Sequence, residues 1–428
     1  MTGSTYQGVF MHFIRRGGRH AERLYTPALL LLIFIVGTSF LGMGFVLPLR
    51  ALYGREIGAS SGEIGLMASA AMLSGFLTAP AVGWLSDRFG HGNILSLGVL
   101  AHTLLVLAYI PVRDPGVLIG LRALEGIAAV GVLPPARALV NSLAPHNRQA
   151  EALGGLSAAQ TVGILLGPTL GLLLASQVGY QQAFIVASIP LAAGAFMARF
   201  FLPRRGKAEE LAAETSLQGS GLFTPPLMLA YALQMVISAV IGVGAASWTI
   251  YMADRGASPL LIGLSFTTFA VPIVVLAPVT GRLADRHGRY WFVLIGLACV
   301  GALFVVYGLP IDPIWLVILS VPEGIAAACA RSGVDGLLAD ATPAHLRGKV
   351  QANYSAAGTG SAFLIATISG FVYGIAPGLP FMLVGAIYLA AALALLLPGL
   401  AKLLTPIPAR AVESDEVSAP VSVAQTGL

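Results

Sequence analysis

The sequence predicts an all-α membrane protein of twelve transmembrane helices, built as two pseudo-symmetric six-helix bundles. Three observations predict it. The 428 residues are 57% hydrophobic and only 10% charged, against roughly 25% charged in an ordinary soluble protein. The apolar residues fall into runs of about 20, the length of a spanning helix. The second half of the chain also repeats the first.

The runs fall at 27–49, 64–86, 93–111, 117–139, 151–175 and 183–202, then at 224–252, 259–281, 291–310, 314–338, 350–374 and 380–400. The predicted organisation is therefore a cytoplasmic N-terminal segment (1–26), a first bundle (27–202), a cytoplasmic linker (203–223), a second bundle (224–400) and a disordered cytoplasmic tail (401–428). The linker holds Arg204, Arg205, Lys207, Glu209, Glu210 and Glu214. Arg15, Arg16, Arg19 and Arg23 precede a run too long for a signal peptide and without a small-residue cleavage site, and they read as a cytoplasmic anchor.

Lysine and arginine set the orientation. With the N-terminus inside, the inner segments carry those four arginines, Arg88, Arg148, Arg204, Arg205, Lys207, Arg282, Arg286, Arg289, Arg347, Lys349, Lys402 and Arg410. The outer segments carry only Arg50, Arg55, Arg113 and Arg255. Both termini then lie in the cytoplasm of a multi-pass plasma (inner) membrane protein. The formal net charge of +5 forms no basic patch interleaved with aromatics, so it does not point to nucleic acid. Cys299 and Cys329 have no metal or redox spacing and read as buried packing residues.

The repeat is direct. Gly83-Trp-Leu-Ser-Asp87-Arg88-Phe-Gly90 follows the second run, and Gly281-Arg-Leu-Ala-Asp285-Arg286-His-Gly288 follows the eighth. Both read G-x-L-x-D-R-x-G. Glu125-Gly-Ile-Ala is matched by Glu323-Gly-Ile-Ala at the same offset of 198 residues, and Pro145/Pro343 and Arg148/Arg347 agree within one residue. Parallel repeats of this kind pack about an axis along the membrane normal, with the substrate site between them at mid-depth.

The G-x-L-x-D-R-x-G element, present after the second and the eighth runs, resembles the major facilitator superfamily, and the resemblance covers essentially all twelve runs. Its glycines suit close helix approach and a tight turn. Its aspartate sits badly at the negative end of its own helix and suits the N-terminus of another. The resemblance implies that Asp87 and Asp285 brace spans eleven and five in one transport state. The first copy departs from the family pattern at His91-Gly92, where the second keeps Arg289. Asn141 likewise stands where an acid is common, while the second half has Asp340.

Charges inside spans are costly and point to function. Arg122 and Glu125 lie one turn apart in span four. Glu323 takes the repeated place in span ten, followed by Arg331 and Asp335 four residues apart. The stretch from Leu118 to Ala129 resembles the family's fourth-helix motif, with Glu125 in place of the usual amide. Burial disfavours a charged carboxylate and a neighbouring arginine favours it. That competition suits a proton site, with Glu125 expected as principal carrier and Glu323 second; both pairs also read as structural ion pairs.

Gly163, Gly167, Pro168 and Gly171 resemble the G-x-x-x-G-P-x-x-G motif of superfamily exporters and also form a small-residue packing stripe. Gly42-Met-Gly44-Phe-Val-Leu-Pro48 resembles the first helix of twelve-helix drug exporters. Gln160, Gln234, Asn353 and Tyr354 are further polar candidates for the substrate path. Trp248 and Tyr251 read as interfacial anchors.

The resemblance implies a monomeric secondary active transporter that exports small drug-like or lipophilic organic molecules. Its energy source would be the proton gradient and it would use no cofactor. The alternatives are an exporter of one metabolite, siderophore or sugar, and a non-transporting receptor or lipid-handling protein on the same scaffold. No nucleotide-binding loop, catalytic triad or metal cluster is evident, so the sequence does not read as an enzyme.

Overall fold

The computed structural model describes residues 24–202 and 221–404. Nearly all of the expected N-terminal segment, of the linker and of the tail lies outside these residues. Among them, eleven helices are long and apolar enough to cross a membrane, and a twelfth apolar helix, Leu379–Leu395, is shorter.

The first half runs α1 (Pro27–Glu56), α2 (Ser61–Phe89), α3 (His91–Ala108), α4 (Pro115–Val130), α5 (Leu133–Leu143), α6 (Gln149–Val178) and α7 (Tyr180–Phe201). The second runs α8 (Pro225–Val243), a π-helical turn (Gly244–Trp248), α9 (Thr249–Asp254), α10 (Pro259–His287), α11 (Arg289–Tyr307), α12 (Pro313–Ala341), α13 (Arg347–Ile375), α14 (Leu379–Ala394) and α15 (Pro398–Leu403). Several helix starts are capped by side chains. Thr26, Asp114, Ser258 and Asp312 accept from backbone N–H groups of the first turn, each followed by proline.

Three boundaries differ from the sequence reading for identifiable reasons. α1 does not stop at Leu49 but runs through Pro48 and on to Glu56. Proline removes one hydrogen bond without ending a membrane helix, because neighbouring helices support the freed backbone. Arg50 and Arg55 are therefore helical residues, not loop charges. The fourth span is interrupted between α4 and α5, where Pro134 and Pro135 follow Gly131. Gly131 lies against Gly98, whose added Cβ would stand 2.7 Å from the Gly131 carbonyl carbon. The seventh span carries the π turn, a deviation often found at functional positions.

Two compact units emerge. One holds the first-half helices from α1 to Gly58 and again from Leu73 onward; the other holds Ala59–Met72 together with the second-half helices. The start of α2 belongs with the second unit: Gly65 and Gly370 approach so closely that a Cβ on either would meet the other's Cα at 2.7 Å. Ala68, Ala246 and Ala366 pack together there. Each unit also leaves large apolar side chains uncovered, among them Leu77, Leu97 and Phe196 in the first and Ile295, Leu393 and Phe371 in the second. Surfaces of that kind require an apolar solvent. Cys299 is one of the uncovered residues and Cys329 is half-covered, which corrects the reading of both as buried.

Candidate functional site

The first unit concentrates its buried charge on Glu125, which is 1% exposed. The Arg50 guanidinium donates Nη2–H to Oε1 at 2.7 Å. Arg122, one turn before Glu125, donates Nη1–H to Oε2 at 2.6 Å. The Tyr109 hydroxyl donates to the same oxygen at 2.8 Å. His102 brings Nε2 to 3.6 Å from Oε1, too far for a hydrogen bond. His102 on α3 and Tyr109, the residue that caps that helix in helical conformation, stand seven residues apart and so on one face. Arg50 reaches the group from α1 because that helix continues past Pro48. Arg50 thus leaves the set of outer loop charges and joins the site. It is also the nearest cation on Oε1 of a carboxylate that had been expected to sit beside Arg122 alone.

Sequence reasoning missed Arg50, His102 and Tyr109, yet a signal for part of the group existed. The 198-residue offset that relates Glu125 to Glu323 also relates Tyr109 to Tyr307. The Tyr307 hydroxyl donates to Glu323 Oε2 at 2.9 Å, so the tyrosine–carboxyl pair recurs in both units.

The basic residues do not recur. At the same offset Arg50 becomes Trp248, His102 becomes Val300 and Arg122 becomes Ser320. Glu323 is 5% exposed. Among the described residues no basic side chain lies within ion-pair distance of it. The Ser320 hydroxyl turns back to the Leu316 carbonyl at 2.8 Å. Two carboxyl groups at repeated positions thus occupy opposite electrostatic settings.

Trp248 and Tyr251 are buried, not interfacial. Trp248 donates Nε1–H to Ser265 at 2.8 Å and packs 5.3 Å from Tyr307 and 5.8 Å from Phe381. The Tyr251 hydroxyl donates to the Tyr307 carbonyl. The π turn carries the indole into the core, where its one polar atom finds a partner.

The other candidates stand apart from both carboxyl groups. Arg331 and Asp335 are about half-exposed, with Nε 3.6 Å from Oδ2. Tyr354 donates to Asp335 at 2.8 Å. Gln234 is buried with its Oε1 unpartnered, and its Nε2 would lie 2.6 Å from a Cβ on Gly358. Gln160 and Asn353 are half-buried.

The repeated G-x-L-x-D-R-x-G element is not a loop. Its aspartates and arginines lie in the last turns of α2 and α10, and only Gly90 and Gly288 leave the helix, at φ +92° and +91°. That left-handed conformation requires glycine. Gly83 and Gly281, expected to permit close approach, face open space. In the second copy Arg289, not Arg286, is the hub: it donates to the Gly336 carbonyl at 2.6 Å and pairs with Asp340 and with Asp285 at 3.2 Å. Arg286 is exposed. In the first copy Arg88 lies over the Trp84 ring at 5.2 Å, and His91 meets Ser86 at 2.8 Å. Arg148 pairs with Glu151 at 2.9 Å on the surface, and Arg347 is exposed.

The two glycine motifs meet each other. A Cβ on Gly163 would lie 2.6 Å from the Leu41 nitrogen, and one on Gly167 would lie 2.5 Å from Gly44 and Phe45 backbone atoms. Gly171 abuts the Phe45 carbonyl. The stripe on α6 is the groove in which α1 lies. It thereby fixes the backbone that carries Arg50 toward Glu125.

Comparison with known proteins agrees with this architecture. The sequence model of the Major Facilitator Superfamily matches residues 29–248 and 227–425. A "Multi-drug resistance efflux pump PmrA homolog" of Lactococcus lactis subsp. lactis is 27% identical over 72% of this chain and 78% of its own. "Multidrug resistance protein MdtG" of Klebsiella pneumoniae is 26% identical over 74% and 79%. "Quinolone resistance protein NorA" of Staphylococcus aureus is 26% identical over 55% and 61%. Among solved structures, the nucleoside transporter NupG superposes with a TM-score of 0.72 at 13% identity, covering 86% of this chain and 99% of that one. A POT family transporter bound to 5-aminolevulinic acid gives 0.70 at 14% identity, over 86% and 94%. At these identities the two structures establish the shared fold.

Proposed function

The chain belongs to the major facilitator superfamily, and we propose that it is a proton-coupled exporter of drug-like organic molecules, working in the plasma (inner) membrane with both termini in the cytoplasm. The names of its efflux-pump relatives support export of drugs. The observation that carries the coupling is the contrast between Glu125 and Glu323. A carboxylate held by two guanidiniums and a tyrosine keeps its charge throughout a cycle. A buried carboxyl group with only a tyrosine hydroxyl for company is costly to charge, by several kcal/mol, and is the better vehicle for a proton. We therefore reverse the order expected from the sequence. Glu323 loads a proton from the outer side and releases it inward when water or a cationic substrate reaches it. Glu125 serves as a fixed counter-charge.

Proteoliposomes test the function directly. With a lipophilic dye as substrate, an imposed proton gradient should drive uphill transport that a protonophore abolishes, and adding dye should itself move protons. Transport that ignores the gradient would rule out the coupling. No transport of any lipophilic dye, with intact exchange of one polar solute, would favour the specific-solute reading.

A further inference from the structure

The group around Glu125 cannot balance its own charge. Arg50 and Arg122 are cationic at any accessible pH, and Glu125 offers at most one negative charge. Tyr109 adds none, and His102 adds either none or one more positive. At least one positive charge is left over between α1, α3 and α4. No other acid of this unit offsets it among the described residues: neither guanidinium has a second carboxylate within ion-pair distance. Asp87 is exposed in the last turn of α2, Asp114 caps α4, Glu151 is taken by Arg148, and Glu56 lines a separate cavity with Tyr53, Arg113 and Gln181.

Hydrogen bonding is incomplete at the same spot. Arg50 Nε and both ring nitrogens of His102 are buried without a partner, in side chains more than nine-tenths buried. Arg50 Nε is a donor, as is the one ring nitrogen of neutral His102 that carries the proton, and buried donors are normally satisfied by protein or by a bound species. Water would accept the hydrogen bonds but leave the charge. An anion answers both needs, and its desolvation would be offset by guanidinium donors already in place. Arg122 retains a partly open side chain, 15% exposed.

We propose that Arg50, Arg122 and His102 form a binding site for one monovalent anionic group, either chloride or the carboxylate of a small organic acid. The site is absent from the second unit, where the equivalent positions are Trp248, Ser320 and Val300. It concerns binding, so it stands or falls independently of proton coupling.

The test uses the full chain in detergent, with a bulky sulfonate as background salt and the thermal midpoint as readout. Titration of the wild type with chloride, acetate or benzoate should raise the midpoint saturably, by roughly 2–5 °C for a single-site ligand well above its Kd. Arg122→Gln removes the surplus charge and should abolish the saturable rise. Glu125→Gln removes the competing carboxylate and should shift half-saturation to at least about tenfold lower anion. A response to chloride alone identifies an inorganic anion; a response shared by acetate and benzoate identifies a carboxylate. A wild-type midpoint that does not respond saturably to any of the three overturns the proposal, as does a wild-type-like response in Arg122→Gln. If Arg122→Gln does not fold, Glu125→Gln decides: half-saturation unchanged or raised overturns it.

Discussion

Glu125 and Glu323 are the same residue at the same place in two repeats, yet removal of their charge should have opposite consequences. Glu125→Gln leaves two buried guanidiniums facing a neutral amide. Breaking a buried pair from one side costs about 3–5 kcal/mol, so its thermal midpoint should fall by many degrees. Arg50→Met should also destabilise, though less, because Arg122 and Tyr109 still hold the carboxylate. Glu323→Gln keeps the shape and a partner for Tyr307 and should melt within about 2 °C of wild type, since it leaves no buried guanidinium without its carboxylate. Equal losses in the two glutamine variants would mean that their settings are alike. Both glutamates were legible in the sequence through their spacing. Their surroundings were not. Its charge at the end of an apolar run made Arg50 look like a loop residue, and a histidine or tyrosine inside an apolar run looks the same whether it packs or bonds.

At the scale of elements, glycine does two jobs that the sequence did not separate. Gly167 exists for contact: its missing Cβ makes room for the backbone of Gly44 and Phe45 at 2.5 Å, and backbone cannot move aside. Gly167→Ala should cost about 1–3 kcal/mol by overpacking. Gly83→Ala, in open space, should leave stability unchanged or raise it by up to about 1 kcal/mol, as alanine favours helix. Thermal unfolding of the two variants side by side checks the pair; a loss at Gly83 matching that at Gly167 would contradict the packing account. The glycine stripe and the first-helix motif were each visible in the sequence, but not that they are two sides of one contact. The break at Gly131 and the π turn at Gly244–Trp248 were invisible, because a span's hydropathy does not register how its backbone is wound. The same blindness made Trp248 look like an anchor. An indole near the end of an apolar run reads as interfacial unless the extra π residue that turns it inward is known.

For the whole molecule, the 198-residue offset proved more informative than any single motif. It aligns Tyr53 with Tyr251, Gly58 with Gly256, Gly90 with Gly288, Asp114 with Asp312 and both tyrosine–glutamate pairs. It predicts that repeated positions share a membrane side. Single cysteines at Asp87 and Asp285, in a chain with Cys299 and Cys329 replaced, should react with an impermeant reagent only in inside-out vesicles; labelling from opposite sides would break the parallel repeat. The offset also exposes where the halves diverged, from a compensated carboxylate to a solitary one, and that divergence is the centre of the functional account. The most direct test is uphill dye export by Glu323→Gln in proteoliposomes under an imposed proton gradient, alongside downhill exchange in the same vesicles. Gradient-driven export should be lost in this variant while exchange persists at a substantial fraction of the wild-type rate. Uphill export at the wild-type rate in Glu323→Gln would contradict the functional account.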